Sequence, residues 1–349
     1  MTEHVTGPVP GPVPVTTARK GAAFATVVVA ALVLLAVALL LSLLVGTRVL
    51  GLDETVAGLL RTDRVAAAVI WELRLPRTVL GLLVGAALGA AGALAQSVTR
   101  NPLADPGLLG ISSGAAVAIV GGALLGLAGG VPQVLLAIAG AAAATAAVYG
   151  FAQRSPEGLT PVNMTLAGMA VTACLSAVVS AIVLVSASTM DQYRFWVVGA
   201  LGSPEPGVLV PAVVVAVAGG VLALVVSGSL NALALGDDTA AGLGVDVHRT
   251  RTLGGAAVVL LSGTAVALAG PIVFVGLLVP HAARALVGHD VRRVLALSAL
   301  LGPLLLLTAD VIGRVVARPA EVQVGVVTAV LGTPLFILLA RRGRSGAGA

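Results

Sequence analysis

The sequence predicts an all-α, polytopic membrane protein with about ten membrane-spanning helices. The 349 residues are 58% hydrophobic and 10% charged, with a mean hydropathy of +1.09, whereas a soluble domain is nearer half apolar and a quarter charged. The apolar residues form long runs, and a membrane-spanning helix needs about 20 such residues. The alternating pattern of membrane β-barrel strands is absent. These three observations fix the predicted fold class.

Ten apolar runs follow one another along the chain. They cover residues 23–46, 76–97, 106–127, 131–152, 163–187, 207–228, 250–269, 273–288, 293–316 and 322–340. Glycine and proline interrupt the third, fourth and eighth runs, so the ends of these spans are the least defined. A single transmembrane domain, 23–341, therefore holds all ten spans. The Pro- and Val-rich segment 1–22 is predicted to be a disordered tail, and 342–349 is a short C-terminal tail.

The basic residues orient the spans. With ten spans, both termini lie on the same side of the membrane. That side holds twelve of the 20 basic residues and the other side holds eight, so the positive-inside rule predicts cytoplasmic termini. On this topology residues 47–75 form an external loop and residues 231–251 form a cytoplasmic loop.

Local signals define several helix ends and contacts. Glycine recurs at every fourth position of the second span, at Gly81, Gly85 and Gly89, which predicts close packing against a neighbouring helix. In the segment "NPLADPGLLGISSGA", 101–115, a proline ends the second helix. Asp105 can then cap the next helix, with Pro106 in its first turn.

The motifs of common catalytic chemistry are missing. Lys20 is the only lysine, so no P-loop is present and the chain cannot hydrolyse ATP through one. The histidines lack zinc-binding spacing, and no nucleophile elbow is found. The single cysteine, Cys174, is interpreted as a small buried apolar residue. Arginines scattered between apolar runs fit membrane topology better than nucleic-acid binding. We therefore expect a transport or scaffold protein without cofactor or metal, and not an enzyme.

Asp310 is the best candidate for an ionisable group inside a span. It lies about 26 Å from the predicted start of the ninth span, near the outer interface. Arg314 is four residues further on and on the same helix face, so the pair can end the helix as an interfacial ion pair. The alternative is a proton relay in a stand-alone, proton-coupled secondary transporter.

The cytoplasmic loop 231–251, "NALALGDDTAAGLGVDVHRTR", contains the signals of a short helix. Asp237, Asp238 and Thr239 suit a helix N-terminus, and Gly242 and Gly244 suit its end. A short, rigid helix with an acidic start is suited to docking another protein. A plain connector is the alternative.

Six stretches in order carry a family resemblance. They are "RLPRTVLGLLVGAALGAAGALAQ", "NPLADPGLLGISSGA", "LALGDDTAAGLGV", "GPIVFVGLLVPHAARALVG", "LTADVIGR" and "GVVTAVLGTPLFILL". With them the chain resembles the FecCD-type permease subunits of iron-siderophore, haem and vitamin B12 ABC importers. The resemblance implies a type II importer permease fold in a bacterial plasma membrane. It also implies a second permease subunit, identical or paralogous, two cytoplasmic ATPase subunits and an extracytoplasmic solute-binding protein.

The resemblance also implies roles for three sets of residues. The ATPase coupling loop would comprise Leu235, Gly236, Asp237, Asp238, Thr239, Ala240, Leu243 and Gly244. The external arginines that receive acidic residues of the binding protein would be Arg74, Arg77 and Arg314. The cytoplasmic gate would fall on Thr160, Pro161 and Asn163. Ordinary helix capping explains the polar gate candidates equally well.

Overall fold

The computed structural model describes residues 17–46, 50–127, 129–156, 160–205 and 207–345. Every regular element in these ranges is helical. In chain order they are α1 (Thr17–Leu44), α2 (Leu52–Leu59), α3 (Arg64–Ala68), a π-helical turn (Val69–Arg74), α4 (Leu75–Thr99), a 3₁₀ turn (Pro106–Leu109), α5 (Ile111–Leu124), α6 (Gly130–Gln153), α7 (Pro161–Val185), α8 (Ala187–Trp196), α9 (Leu209–Leu233), α10 (Asp237–Gly242), α11 (Val247–Ala269), α12 (Val275–Val287), α13 (Val291–Val316) and α14 (Val324–Ser345).

Each of the ten predicted spans corresponds to one helix of the bundle. Within the described residues, seven helices are long and apolar enough to cross a membrane by length and composition. The other three, α5, α12 and the apolar part of α14, are shorter apolar helices. The predicted all-helical class is therefore confirmed.

The helix boundaries differ from the prediction where local breaks occur. Span three, expected at 106–127, is only α5, because Asp105 caps a separate 3₁₀ turn, accepting a hydrogen bond from Gly107 N at 2.8 Å. Gly110, at φ +75°, then starts a new helix direction. Span eight shortens to α12 because the residue before it, Phe274, has a left-handed φ of +70°.

The predicted loop 47–75 and the predicted tails are also more helical than expected. The loop contains α2 and α3, and the π-helical turn joins α3 to α4 in one helical run, 64–99. At the termini, α1 begins at Thr17 and α14 extends to Ser345. The remaining tail residues, 1–16 and 346–349, lie outside the described residues.

Helix α4 is the central helix of the bundle. In its most apolar window 78% of the residues are buried, against 22% for α1 and α7. A Cβ atom added at Gly85 would lie 2.5 Å from Pro303 Cα, and one added at Gly92 would lie 2.5 Å from Gly276 Cα. Backbones at this distance leave no room for a side chain, so the glycines set the close packing of α4 on α13 and α12, as predicted for Gly85.

Helix α4 also defines the two ends of the molecule. Its N-terminal end meets the C-terminal ends of α1 and α13 through Arg77 and Arg314, and we call this the arginine end. Its C-terminal end meets α10 through Arg100 and Asp237, and we call this the α10 end.

Candidate functional site

The three arginines predicted for docking come together at the arginine end. Arg74 closes the π-helical turn, Arg77 lies in the first turn of α4 and Arg314 lies near the end of α13. All three line one pocket of 280 Å³, together with Gly46, Val69, Leu73, Gly202, Ser203 and Glu321. We call this pocket the arginine pocket.

Arg77 is held by two carboxylates. Its Nε and Nη2 donate to Asp310 Oδ1 at 3.1 and 2.8 Å, and its Nη1 donates to Glu321 Oε2 at 2.7 Å. The Asp310 side chain is 1% exposed, whereas that of Glu321 is 35% exposed. The guanidinium of Arg77 therefore joins a buried acid on α13 to an acid at the surface.

Arg314 and Asp310 form the predicted ion pair, at 2.9 Å between Nη2 and Oδ2. Asp310 lies about 28 Å along α13 from Val291, which agrees with its predicted position near the far end of the span. Arg314 also donates to Ser42 O and to Ser42 Oγ, both at 3.0 Å. Both charged groups are buried, so this is an internal pair and not an exposed one.

Three arginines satisfy backbone carbonyls where α1 ends. Arg314 donates to Ser42 O, Arg74 to Leu43 O and Arg318 to Gly46 O. The last carbonyls of a helix have no partner within the helix, and the negative end of its dipole attracts cations. These bonds therefore fasten α1 to the bundle.

This arrangement corrects the predicted exposure of two arginines. The sequence predicts external arginines, but Arg74 is 6% exposed and Arg314 is 2% exposed. Their guanidinium groups are buried because the backbone carbonyls at the end of α1 accept hydrogen bonds from them. Glu321, Ser42 and Arg318 were missed from the sequence, and only the family motif around Arg314 pointed to their neighbourhood.

At the opposite end, α10 is anchored by Asp237. This carboxylate pairs with Arg100 at 3.0 Å and with Arg251 at 3.0 Å. Ala240 packs fully buried against the bundle. Gly236 and Gly244 bracket the helix with φ of +108° and +82°, which glycine adopts without strain. The predicted short helix is thus present, and two ion pairs and a buried alanine attach it to the bundle.

The outward surface around α10 is partly apolar, because a leucine flanks the helix at each end. Leu235 is 65% exposed and Leu243 is 64% exposed. Asp238 and Thr239 are exposed between them. Of the two predicted acidic residues, Asp237 is paired with arginines although its side chain is 39% exposed, and Asp238 is exposed. We call Leu235, Asp238, Thr239 and Leu243 the α10 face.

The gate candidates show helix capping. Thr160 is the N-cap of α7, and its hydroxyl accepts a hydrogen bond from Asn163 N at 3.1 Å. Asn163 Nδ2 donates to Ser155 Oγ at 2.9 Å. Pro161 takes the first helical position, where a missing N–H is harmless, and its side chain lies outside the described residues. The geometry accounts for Thr160 and Asn163 as local structure at the α10 end.

Two further predictions concern metal and thiol chemistry. Among the described residues no group of three or more His, Cys, Asp or Glu side chains could hold a metal ion. Cys174 is exposed, so its predicted burial is wrong. It lies on α7, a peripheral helix whose outward residues face the surroundings of the subunit.

The described residues form an all-helical membrane bundle with a short surface helix at one end and a charged pocket at the other, an arrangement that suits a membrane permease. The chain belongs to the FecCD transport family, whose sequence model matches residues 34–342. It is 44% identical over 317 residues to the ferric enterobactin transport system permease protein FepD of Escherichia coli, covering 90% of this chain and 95% of that one. It is 46% identical over 277 residues to the Fe(3+)-citrate import system permease protein YfmD of Bacillus subtilis, covering 79% and 82%.

The fold agrees with a solved structure. An inward-facing metal-chelate type ABC transporter superposes with a TM-score of 0.80 and 28% sequence identity. The match covers 91% of this chain and 99% of the other.

Proposed function

We propose that this chain is the membrane-spanning permease subunit of a binding-protein-dependent ABC importer for a ferric siderophore or a related metal chelate. The observation that carries the proposal is the match over 95% of the length of FepD, a ferric enterobactin permease. The relative YfmD is named for ferric citrate, so the substrate class is the ferric chelate and not one compound.

The α10 face is the surface proposed to engage a cytoplasmic ATPase. Two exposed leucines, one on each side of a helix anchored by ion pairs, form a small apolar contact that moves with the bundle. ATP hydrolysis then takes place on the partner chain, and differential docking of the ATP-bound partner shifts the permease between outward and inward openings. In this role Asp237 positions α10, while Leu235 and Leu243 touch the partner.

The arginine pocket is the surface proposed to meet an extracytoplasmic solute-binding protein. Arg77 is the one of its three predicted arginines with an appreciably exposed side chain, 19%. A carboxylate on the binding protein can form a charge-assisted hydrogen bond with it. Such contacts favour orientation and encounter rate more than affinity.

The proposed assembly has two permease subunits and two ATPase subunits in a bacterial plasma membrane. A second copy or a paralogue would cover part of the outward apolar surface of the peripheral helices, and lipid would cover the rest. The α10 end and both termini would then be cytoplasmic, with the arginine end outside. The excess of basic residues on the α10 side supports this orientation.

The alternative, a proton-coupled secondary transporter, depends on Asp310. That carboxylate is engaged by Arg77 and Arg314, as expected of the ion-pair interpretation. Uptake into liposomes separates the two functions: the importer requires ATP and the ATPase subunit. Uptake driven by a proton gradient in the absence of the ATPase would overturn the proposal.

The α10 face is tested by Leu235→Asp and Leu243→Asp. Burying a leucine contributes about 1.5–3 kcal/mol, so each change is expected to weaken ATPase co-purification by at least about tenfold. Leu60→Asp is the matched control, because Leu60 is 70% exposed at the arginine end. Normal co-purification and transport by both α10 variants would contradict the assignment.

A further inference from the structure

Glu321 forms an ion pair with Arg77 at the position where a carboxylate of the binding protein is proposed to bind. The contact is 2.7 Å between Arg77 Nη1 and Glu321 Oε2. Glu321 belongs to the short connection between α13 and α14, and it lines the arginine pocket. The pocket therefore already contains a carboxylate from its own chain.

The two acids on Arg77 differ in how easily they can leave. Asp310 is 1% exposed and is also paired with Arg314, so its release would leave buried charges uncompensated, which is costly. Glu321 is 35% exposed, and Arg77 is its one ion-pair partner among the described residues. An exposed pair of this kind contributes little and exchanges readily with another anion.

We infer that Glu321 is an internal competitor that occupies the arginine pocket and sets the affinity and association rate of the binding protein. This inference rests on the proposed docking function. A partner carboxylate competes with Glu321 for the N–H groups of Arg77 Nη1. Until Glu321 moves, its negative charge repels the incoming acid. Asp310 remains in place throughout and keeps the guanidinium oriented.

The competition also gives selectivity. A surface with unoccupied arginines attracts any acidic protein, whereas a pocket with its own carboxylate favours a partner that brings additional contacts. The displaced Glu321 lies three residues before α14, so docking would also release a contact between α4 and the connection from α13 to α14. Glu321 is thus a specificity-determining residue of the docking surface.

The test measures how tightly the solute-binding protein binds the reconstituted transporter. The binding protein used is the one that stimulates ATP hydrolysis by that transporter. Permease–ATPase complexes in lipid nanodiscs carry wild-type Glu321 or Glu321→Gln, a change that preserves side-chain size. We expect about threefold to tenfold tighter binding of the variant. Most of the gain should appear in the association rate, with a steeper dependence on salt.

Two controls separate this inference from the docking proposal. Glu205→Gln removes an exposed acid at the same end that forms no ion pair within the described residues, and it should leave binding unchanged. Arg77→Gln should weaken binding. If Arg77→Gln weakens binding but Glu321→Gln leaves it unchanged or weaker, the competitor role is wrong and the docking proposal stands. If Arg77→Gln has no effect, the docking proposal itself fails.

Discussion

Replacing Asp310 with asparagine tests the buried charge cluster directly. The change keeps the size of the side chain but removes the charge shared by Arg77 and Arg314. The Arg314 side chain is 3% exposed, so its charge cannot be solvated once its partner is neutral. Removing one partner of a buried ion pair costs about 3–5 kcal/mol. Arg77 retains Glu321 and is closer to the surface, so most of the cost arises at Arg314.

The measurement is thermal stability of the purified protein in detergent, read as the monodisperse fraction that survives heating. At roughly 2–4 °C per kcal/mol for a domain of a few hundred residues, Asp310→Asn should lower the melting temperature by about 6–20 °C. Adding Arg314→Met removes the stranded charge, so the double variant should melt above the single variant. Glu321→Gln, at an exposed pair, should change stability by less than about 1 kcal/mol.

One pattern of results would refute this reasoning. If the Asp310→Asn variant has the same melting temperature as the wild type but does not transport, the carboxylate does not act as a structural ion-pair partner. A proton-relay role would then explain the loss better than the ion pair does.

Three further outcomes follow from the packing and the caps. Gly92→Ala should destabilise the protein by about 1–3 kcal/mol, because its Cβ would meet the backbone of α12. Gly220→Ala, with open space around it, should be neutral or slightly stabilising in the same melting assay. Thr160→Ala should lower the stability by about 0.5–2 kcal/mol because the α7 cap is lost, and Thr160→Ser should keep the cap and the stability. If transport by Thr160→Ala falls by more than the amount of folded protein does, Thr160 belongs to a gate. Asp105→Ala should lower folded yield while transport per folded molecule stays normal, and a loss of specific transport would show a role beyond capping.

Several features of the fold were predictable because they depend on neighbours in the chain. The apolar runs predicted the order of the ten apolar helices, seven of which are long and three shorter. The caps at Asp105 and Thr160 were recognisable because a capping side chain bonds the backbone two or three residues away. The Asp310–Arg314 pair was predictable for the same reason, since positions four apart share a helix face.

Other features could not be read from the sequence because their partners are distant in the chain. Arg314 meets Ser42 across 272 positions, and Arg77 meets Glu321 across 244. Family motifs marked Arg74 and Arg314 as important, but their burial depends on where α1 ends in space.

The sequence by itself therefore determined the class of protein, the order of its helices and which residues belong to the arginine end and the α10 end. The tertiary structure decided which charges remain exposed: Arg74 and Arg314 are buried, and Glu321 contacts Arg77. The physical reason is that helix formation and capping are local, whereas the fate of a charge depends on the acceptors and the solvent that packing brings to it.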